Sequence, residues 1–388
     1  MESMESRIKR YGFDVGLDRT GTNSQKWDAP PKGVLPLWVA DMDFPCAPAI
    51  VQAIEARAKH PAFGYTHMDE KDYQAVSGFY KRRHGWTIEK EQMLFTPGVV
   101  DSLLLSVQAF TEPGDKVLIQ TPVYGPFFSV VKRSKGRQLV ENPLRFTGED
   151  WEMDFEDLDK KLPGCKLMLL CSPHNPSGRV WKREALEQVL ALCKKHGVLL
   201  AVDEIHCDFV FTGHTHVPML SLPGTQTGVV AAVSATKSFN IAGLKHSTLV
   251  CPDEELRKKL QDQASAMGMG GGNMLAVCAT TAAYSDCDEW MDTLLYVLEK
   301  NRDIAVEALN AMGLPALTPQ GTYLVYADMR ALAPTCEQID KILLEKAKVM
   351  LNRGTDYGAL GEGYMRLNLA CPATTLQEAL DRIQSVCR

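Results

Sequence analysis

The chain has 388 residues, of which 45% are hydrophobic and 23% charged, with 42 Lys and Arg against 48 Asp and Glu. These are the proportions of a folded globular protein, and they exclude a disordered or collagen-like chain. The net charge of −6 argues against bulk binding to nucleic acid or to an anionic membrane, and leaves room for a local phosphate site.

At ~150 residues per domain, the length predicts two or three domains, or a large α/β domain with a smaller partner. The opening Met1–Arg7 is polar and acidic, which is no secretory leader. No apolar run approaches the ~18 residues of a membrane span. The eleven cysteines include no C-x-x-C pair, so they read as reduced thiols of a cytoplasmic protein. The first 45 residues carry Pro30, Pro31, Pro36 and Pro45 and are predicted to be extended and irregular. Thr96-Pro97-Gly98-Val99-Val100 leads into a helix over 101–110. Short apolar runs then predict strands at 116–121, 166–171, 198–202, 229–233 and 247–251. Between the third and second of these lies a helix over 183–196, stopped by Gly197. Strands alternating with helices predict an α/β fold: a mostly parallel central sheet flanked by helices, in a large domain over 46–285. After 286 the pattern changes to a long helix (289–312), a strand (323–327), a helix (336–348), short strands around 349–352 and 364–369, and a last helix from Thr374. With residues 1–45 this makes a smaller α+β domain over 286–388.

In such a sheet, ligands bind beyond the carboxyl ends of the strands. The polar residues just after the apolar runs are Tyr124, Asn175, Asp203 and the segment Ser234–Lys237, all expected on one sheet edge. A lysine there loses solvation, which favours the neutral amine and Schiff-base chemistry with an aldehyde. Taken alone, Lys237 reads more readily as a surface lysine at a strand end. Asp203 reads either as a helix N-cap or as the partner of a pyridinium nitrogen. Asn175, before Pro176, reads as a turn residue. Gly98, Val99 and Val100 open a helix whose N–H groups form an anion site, with Ser234 and Lys245 as further donors. Ser234-x-x-Lys237 also matches the S-x-x-K of serine β-lactamases, but neither S-D-N nor K-T-G follows it. His214-x-His216 has no third ligand nearby in sequence, so no metal is expected.

The phrases Trp38-Val39-Ala40-Asp41-Met42-Asp43-Phe44, Gln120-Thr121-Pro122-Val123-Tyr124, Ser172-Pro173-His174-Asn175-Pro176, Asp203-Glu204-Ile205-His206, Phe239-Asn240-Ile241-Ala242-Gly243-Leu244-Lys245 and Asn368-Leu369-Ala370-Cys371-Pro372 resemble those of fold-type I pyridoxal 5′-phosphate (PLP) enzymes. The match runs over nearly the whole chain. It places the sequence in the class I/II aminotransferase superfamily, most similar to the MalY/PatB-type cystathionine β-lyases. Thr236 stands where a serine usually precedes the lysine. The glycine- and methionine-rich stretch 267–272 has no counterpart among these phrases and is expected to bear on the site entrance. The resemblance implies that Lys237 holds PLP and moves the Cα proton, and that Asp203 pairs with the ring nitrogen. Tyr124 and Ile205 would flank the ring, and Asn175 would contact its 3′-oxygen. Gly98, Val99, Val100, Ser234 and Lys245 would hold the phosphate, joined by Tyr65 from a neighbouring subunit of a homodimer. Arg366 would bind the α-carboxylate of an amino-acid substrate, Trp38 would line the substrate pocket, and His206 would stand behind the contact residues. Arg353 reads as solvated, or as a contact to a distal acid of the substrate. The implied reaction is β-elimination of a thiol from cystathionine or another cysteine S-conjugate. A PLP-dependent aminotransferase shares every residue named, and a PLP-fold regulatory binding protein is the third reading.

Overall fold

The computed structural model describes residues 2–269 and 272–387; Gly270 and Gly271, within the stretch 267–272, lie outside the described residues. The central sheet has seven strands: β1 (Met93–Thr96), β2 (Lys116–Thr121), β3 (Gln138–Pro143), β4 (Cys165–Cys171), β5 (Leu199–Asp203), β6 (Val229–Val233) and β7 (Ser247–Val250). Their order across the sheet is β1-β7-β6-β5-β4-β2-β3. Strands β2 to β6 pair in parallel, and β7 runs antiparallel to both β1 and β6.

The apolar runs are buried on both faces, as a sheet covered by helices requires. Side chains alternate between the faces. Val117, Ile119, Leu167 and Leu169 join a cluster with Leu103 and Val107 of helix α1 (Val99–Phe110). Leu118, Met168, Leu170 and Val202 join the opposite one, with Leu186 and Val189 of helix α2 (Arg183–Lys195). Strands β1 and β3 escape the reading from apolar runs. Strand β3 is the sheet edge, with Glu141, Asn142 and Pro143 in it; an edge tolerates the polar residues and the proline that a central strand rejects.

The last third forms an antiparallel three-stranded sheet from β8 (Leu324–Asp328), β9 (Asn352–Arg353) and β10 (Tyr364–Asn368), in the order β8-β10-β9. Leu35–Pro36 pairs in parallel with Val349–Met350, which ties the N-terminal segment to this unit. Leu37, Val325, Ile339, Met365, Leu367 and Leu376 share a separate apolar cluster. The first 45 residues are not wholly irregular. Met4–Tyr11 is a helix, capped by the Ser3 hydroxyl accepting from the Ser6 N–H at 3.2 Å and ended by Gly12 in the left-handed region. Arg10 and Tyr11 anchor it on Glu289. The predicted helix over 336–348 is α-helical only over Cys336–Ile342, and a π turn over Leu343–Ala347 finishes it.

A long helix, Asp288–Ala311, crosses behind both units. Its buried Asn301 donates to the carbonyls of Leu369 and Cys371, both at 2.8 Å, just beyond the strand that carries Arg366. Asn301→Leu leaves the buried Cys371 carbonyl without its donor, while the Leu369 carbonyl still accepts the Cys371 N–H at 2.9 Å, at a cost of about 1–3 kcal/mol. Urea unfolding should register a loss of about 1–3 kcal/mol, and an unchanged midpoint would show that water replaces the amide.

Candidate active site

Each strand of the parallel set delivers a polar residue to the same edge. Strand β4 ends at Cys171, paired in register with Asp203 of β5, which is paired with Ala232 of β6. Beyond β6, Ser234 caps the four-residue turn of helix Ala235–Ser238, which places Lys237. Lys245 reaches this edge because β7 is reversed: the chain enters β7 where its neighbours leave the sheet.

These residues surround a cavity of about 340 Å³ lined by Gly98, Val99, Val100, Asp101, Tyr124, Cys171, Asn175, Asp203, Ile205, His206, Thr236, Lys237 and Lys245. That lies within the range of small-molecule and cofactor sites. An adjoining cavity of the same size shares Ala40, Tyr124 and Lys237 with it and adds Gln25, Trp38, Asn352, Asp356, Tyr357 and Arg366. Of the residues singled out from sequence, Ser234 and Tyr65 line neither cavity. The Ser234 hydroxyl donates to the His246 carbonyl at 2.6 Å, and Thr236 stands in the lining beside it. Tyr65 is fully exposed, next to a Phe63 that is 63% exposed.

The electrostatics follow from burial. Burial pushes the Lys237 amine down to about 8, with Arg366 acting in the same direction and Asp41 and Asp203 against it. Its Nζ donates to the Ala40 carbonyl, which also accepts from the Tyr323 hydroxyl at 3.1 Å. Burial pushes the Asp203 carboxyl up to about 7, opposed by the Ile205 N–H on Oδ1 at 3.0 Å. Burial also raises the Tyr124 phenol, which stays protonated, and drops His206 to about 3, which keeps it neutral.

Arg366 is 3% exposed. Its Nη1 donates to Asn175 Oδ1 at 3.1 Å, and its Nη2 donates to the Trp38 carbonyl at 2.7 Å and to Asn352 Oδ1 at 2.8 Å. Its Nε is buried without a partner among the described residues, and its guanidinium lies 5.2 Å above the Tyr357 ring. Arg353 reaches no substrate cavity: its Nε and Nη2 both bond Asp340 Oδ2.

The N-terminal segment forms one wall of the site. Asn368 donates to the carbonyls of Val39 and Asp41 at 2.6 Å, and Asn240 brackets Met42 and donates to the Phe44 carbonyl. Lys26, 1% exposed, pairs with Asp43 at 2.7 Å, and Trp27 Nε1 donates to the same carboxylate. Asn240, Asn352, Asn368 and Lys26 were not singled out from sequence as site residues. Their partners are up to 329 positions away, and no local spacing announces such a contact.

The fit to PLP can be tested on these groups. The start of α1 offers N–H groups with no intrahelical acceptor. A Cβ on Gly98 would meet Asp101 Oδ2 at 3.2 Å, so the backbone there is bare enough for a phosphate to approach. Lys245 supplies positive charge, Lys237 a readily neutralised amine, and Asp203 a buried carboxylate that forms no ion pair among the described residues. The donor set fits the cofactor at each of its reactive or charged ends.

Residues 32–383 match the family described as Aminotransferase class I and II. The chain is 44% identical over 384 residues to cystathionine beta-lyase PatB of Bacillus subtilis, covering 96% of this chain and 99% of that protein. Among solved structures, cystalysin from Treponema denticola, which contains a pyridoxal 5′-phosphate cofactor, superposes with a TM-score of 0.93 at 31% identity, covering 97% of this chain and 98% of that one. The PLP-bound C-S lyase from Staphylococcus hominis superposes with a TM-score of 0.91 at 30% identity, covering 97% and 99%.

Proposed function

The chain belongs to the class I and II aminotransferase family, and within it we propose a PLP-dependent carbon–sulfur β-lyase that cleaves cystathionine or a related cysteine S-conjugate. With one water, the net reaction releases a thiol, pyruvate and ammonia. The observation that carries this reading is the convergence of Lys237, Asp203, Asn175 and Tyr124 on one cavity, with Arg366 in the cavity next to it. The identity to a cystathionine β-lyase over almost the whole length of both chains supports the lyase branch.

When bound, the cofactor supplies an electron sink for the pair left at Cα. We assign Lys237 as its covalent anchor and as the base that takes the Cα proton, since an amine held near 8 carries a neutral fraction at physiological pH. Asp203 is assigned as the carboxylate facing the ring nitrogen. A cation there returns to Asp203 the charge that burial alone opposes. Tyr124, kept protonated by burial, or Lys237 is assigned to hand a proton to the departing sulfur. Tyr124 and Ile205 bracket the ring and Asn175 orients it. Gly98, Val99, Val100 and Lys245 would hold the phosphate, with Thr236 in the wall in place of Ser234. Arg366 supplies the charge that pairs with the substrate carboxylate, oriented by Asn175, Asn352 and the Trp38 carbonyl, with Trp38 in the pocket wall.

We further propose a homodimer in which Tyr65 reaches the partner's phosphate group. Full exposure of Tyr65 beside exposed Phe63 supports a covered surface there. A large unit over 46–285 and a smaller one over 1–45 and 286–388 is consistent with the separate sheets and with the pairing of Leu35–Pro36. Among the described residues no helix is long and apolar enough to cross a membrane. Eleven free thiols support a reducing compartment, the cytoplasm.

The test is incubation of the purified protein with cystathionine and with S-substituted cysteines, with no keto acid present. Thiol, pyruvate and ammonia should accumulate in equal amounts. Turnover that requires an added keto acid would replace the lyase by an aminotransferase, and no turnover of any amino acid would leave the regulatory binding role.

A further inference from the structure

A third cavity of about 280 Å³ shares no lining residue with the two site cavities. His84, Cys207, Asp208 and His216 line it, with exposed His214 at its mouth. His84 Nε2, Cys207 Sγ and an Asp208 carboxylate oxygen all lie within 4.8 Å of one another. His84 Nε2 is 2.6 Å from Asp208 Oδ1, and Cys207 Sγ is 3.7 Å from the same oxygen. The His216 ring stands edge-on to His84, with centroids 5.7 Å apart at 88°. His216 is 6% exposed, and its Nε2 has no hydrogen-bond partner among the described residues. That Nε2 lies 3.5 Å from Glu204 Oε1, which already accepts the Met219 N–H at 2.7 Å.

We propose that this cavity is a binding site for one divalent transition-metal ion of the zinc type, held by His84, Cys207 and Asp208 with the fourth position open to the cavity. Tetrahedral zinc bonds nitrogen and oxygen at about 2.0–2.2 Å and sulfur at about 2.3 Å, which sets ligand atoms roughly 3.3–3.6 Å apart. The sulfur–oxygen separation already fits. The His84–Asp208 separation has to open by less than ~1 Å on the same geometry. A set of nitrogen, sulfur and oxygen donors selects against magnesium and calcium, which take oxygen ligands. One thiolate and one carboxylate balance the dication. The site also touches the catalytic turn: Asp208 Oδ2 accepts the hydroxyl of Ser238, the residue after Lys237. The sequence conceals it because His84 lies 124 positions from Asp208.

The experiment uses holoenzyme freed of metal by a chelator and then dialysed. Zinc is titrated in competition with a chromophoric chelator, and cobalt(II) is titrated separately. The expected result is one equivalent of zinc per chain, and a cobalt spectrum with a thiolate charge-transfer band and intense tetrahedral bands to the red of the cofactor. Cys207→Ser should abolish the charge-transfer band, and His84→Gln should weaken zinc binding by at least ~10-fold. The cofactor absorbance reports that each variant is folded. Anomalous scattering at the zinc edge from wild-type crystals needs no variant, and should place a single peak between His84 and Cys207. Less than stoichiometric zinc in the wild type overturns the proposal. So does a peak at the half-buried Cys46, Cys278 or Cys387, or wild-type affinity in both variants.

Discussion

Lys237→Ala should yield a colourless protein that binds added PLP without developing the yellow absorbance of a lysine-bound cofactor. Lys237 is the one lysine that lines both site cavities, and burial holds its amine near 8. Borohydride reduction of the wild type should fix the cofactor on the peptide containing Lys237 and leave Lys245 unmodified. Thiol release should fall by ~10⁴-fold or more, because the variant loses the proton carrier, worth up to about 10⁴ by itself, together with the covalent anchor. The same depressed value sets a pH dependence for cofactor-free protein. The neutral amine is the nucleophile, so capture of added PLP should rise about tenfold per pH unit below about 8 and level off above it. A flat profile between pH 6 and 9, or modification at Lys245, would remove Lys237 from the anchoring role.

The parts of the site that could be read from sequence are those placed by a local rule. A strand buried on both faces is an apolar run, and the first polar residue after it must lie at the sheet edge. Tyr124, Asn175, Asp203 and Lys237 obey that rule, and the cavity brings them together. Lys245 does not follow a strand. Its place depends on the reversal of β7, which the apolar run 247–251 cannot express because burial on both faces erases direction. Ser234 was read as lining the site, yet its cap geometry turns the hydroxyl to the His246 carbonyl and leaves Thr236 in the wall. Arg353 shows the reverse limit. A loop arginine before a glycine reads as solvated or substrate-facing, but Asp340, thirteen residues earlier, takes its guanidinium. The N-terminal helix was missed because prolines dominate the composition of that segment while a serine cap and a terminal glycine decide it locally. Asn240, Asn352 and Asn368 could not be found at all, since each serves a carbonyl or a guanidinium brought near only by the tertiary fold.

Asp203→Asn should keep the shape of the site and lose most of its rate. The side-chain oxygen that accepts the Ile205 N–H at 3.0 Å remains, so the turn after β5 is retained. What disappears is the negative charge. Burial pushes Asp203 up to about 7, which means that the protein groups around it supply little to stabilise the ionised form by themselves. A cation against it reverses that balance, and the carboxylate in turn favours protonation of the ring nitrogen. This reciprocal stabilisation is strong because the pair sits away from water. Removing an electrostatic contribution of this kind costs a few kcal/mol, or ~10²–10³-fold in rate. The loss falls on Cα proton removal, which precedes any choice between expelling sulfur and passing the amino group to an acceptor. Washout of a Cα deuterium, thiol release and any residual transamination should therefore decline by the same factor, while PLP stays bound through Lys237 and the phosphate contacts. If deuterium washout keeps its wild-type rate while thiol release falls, Asp203 acts on the departing sulfur and Tyr124 is not the only group there. If all three rates stay at wild type, the carboxylate has no part in the electron sink.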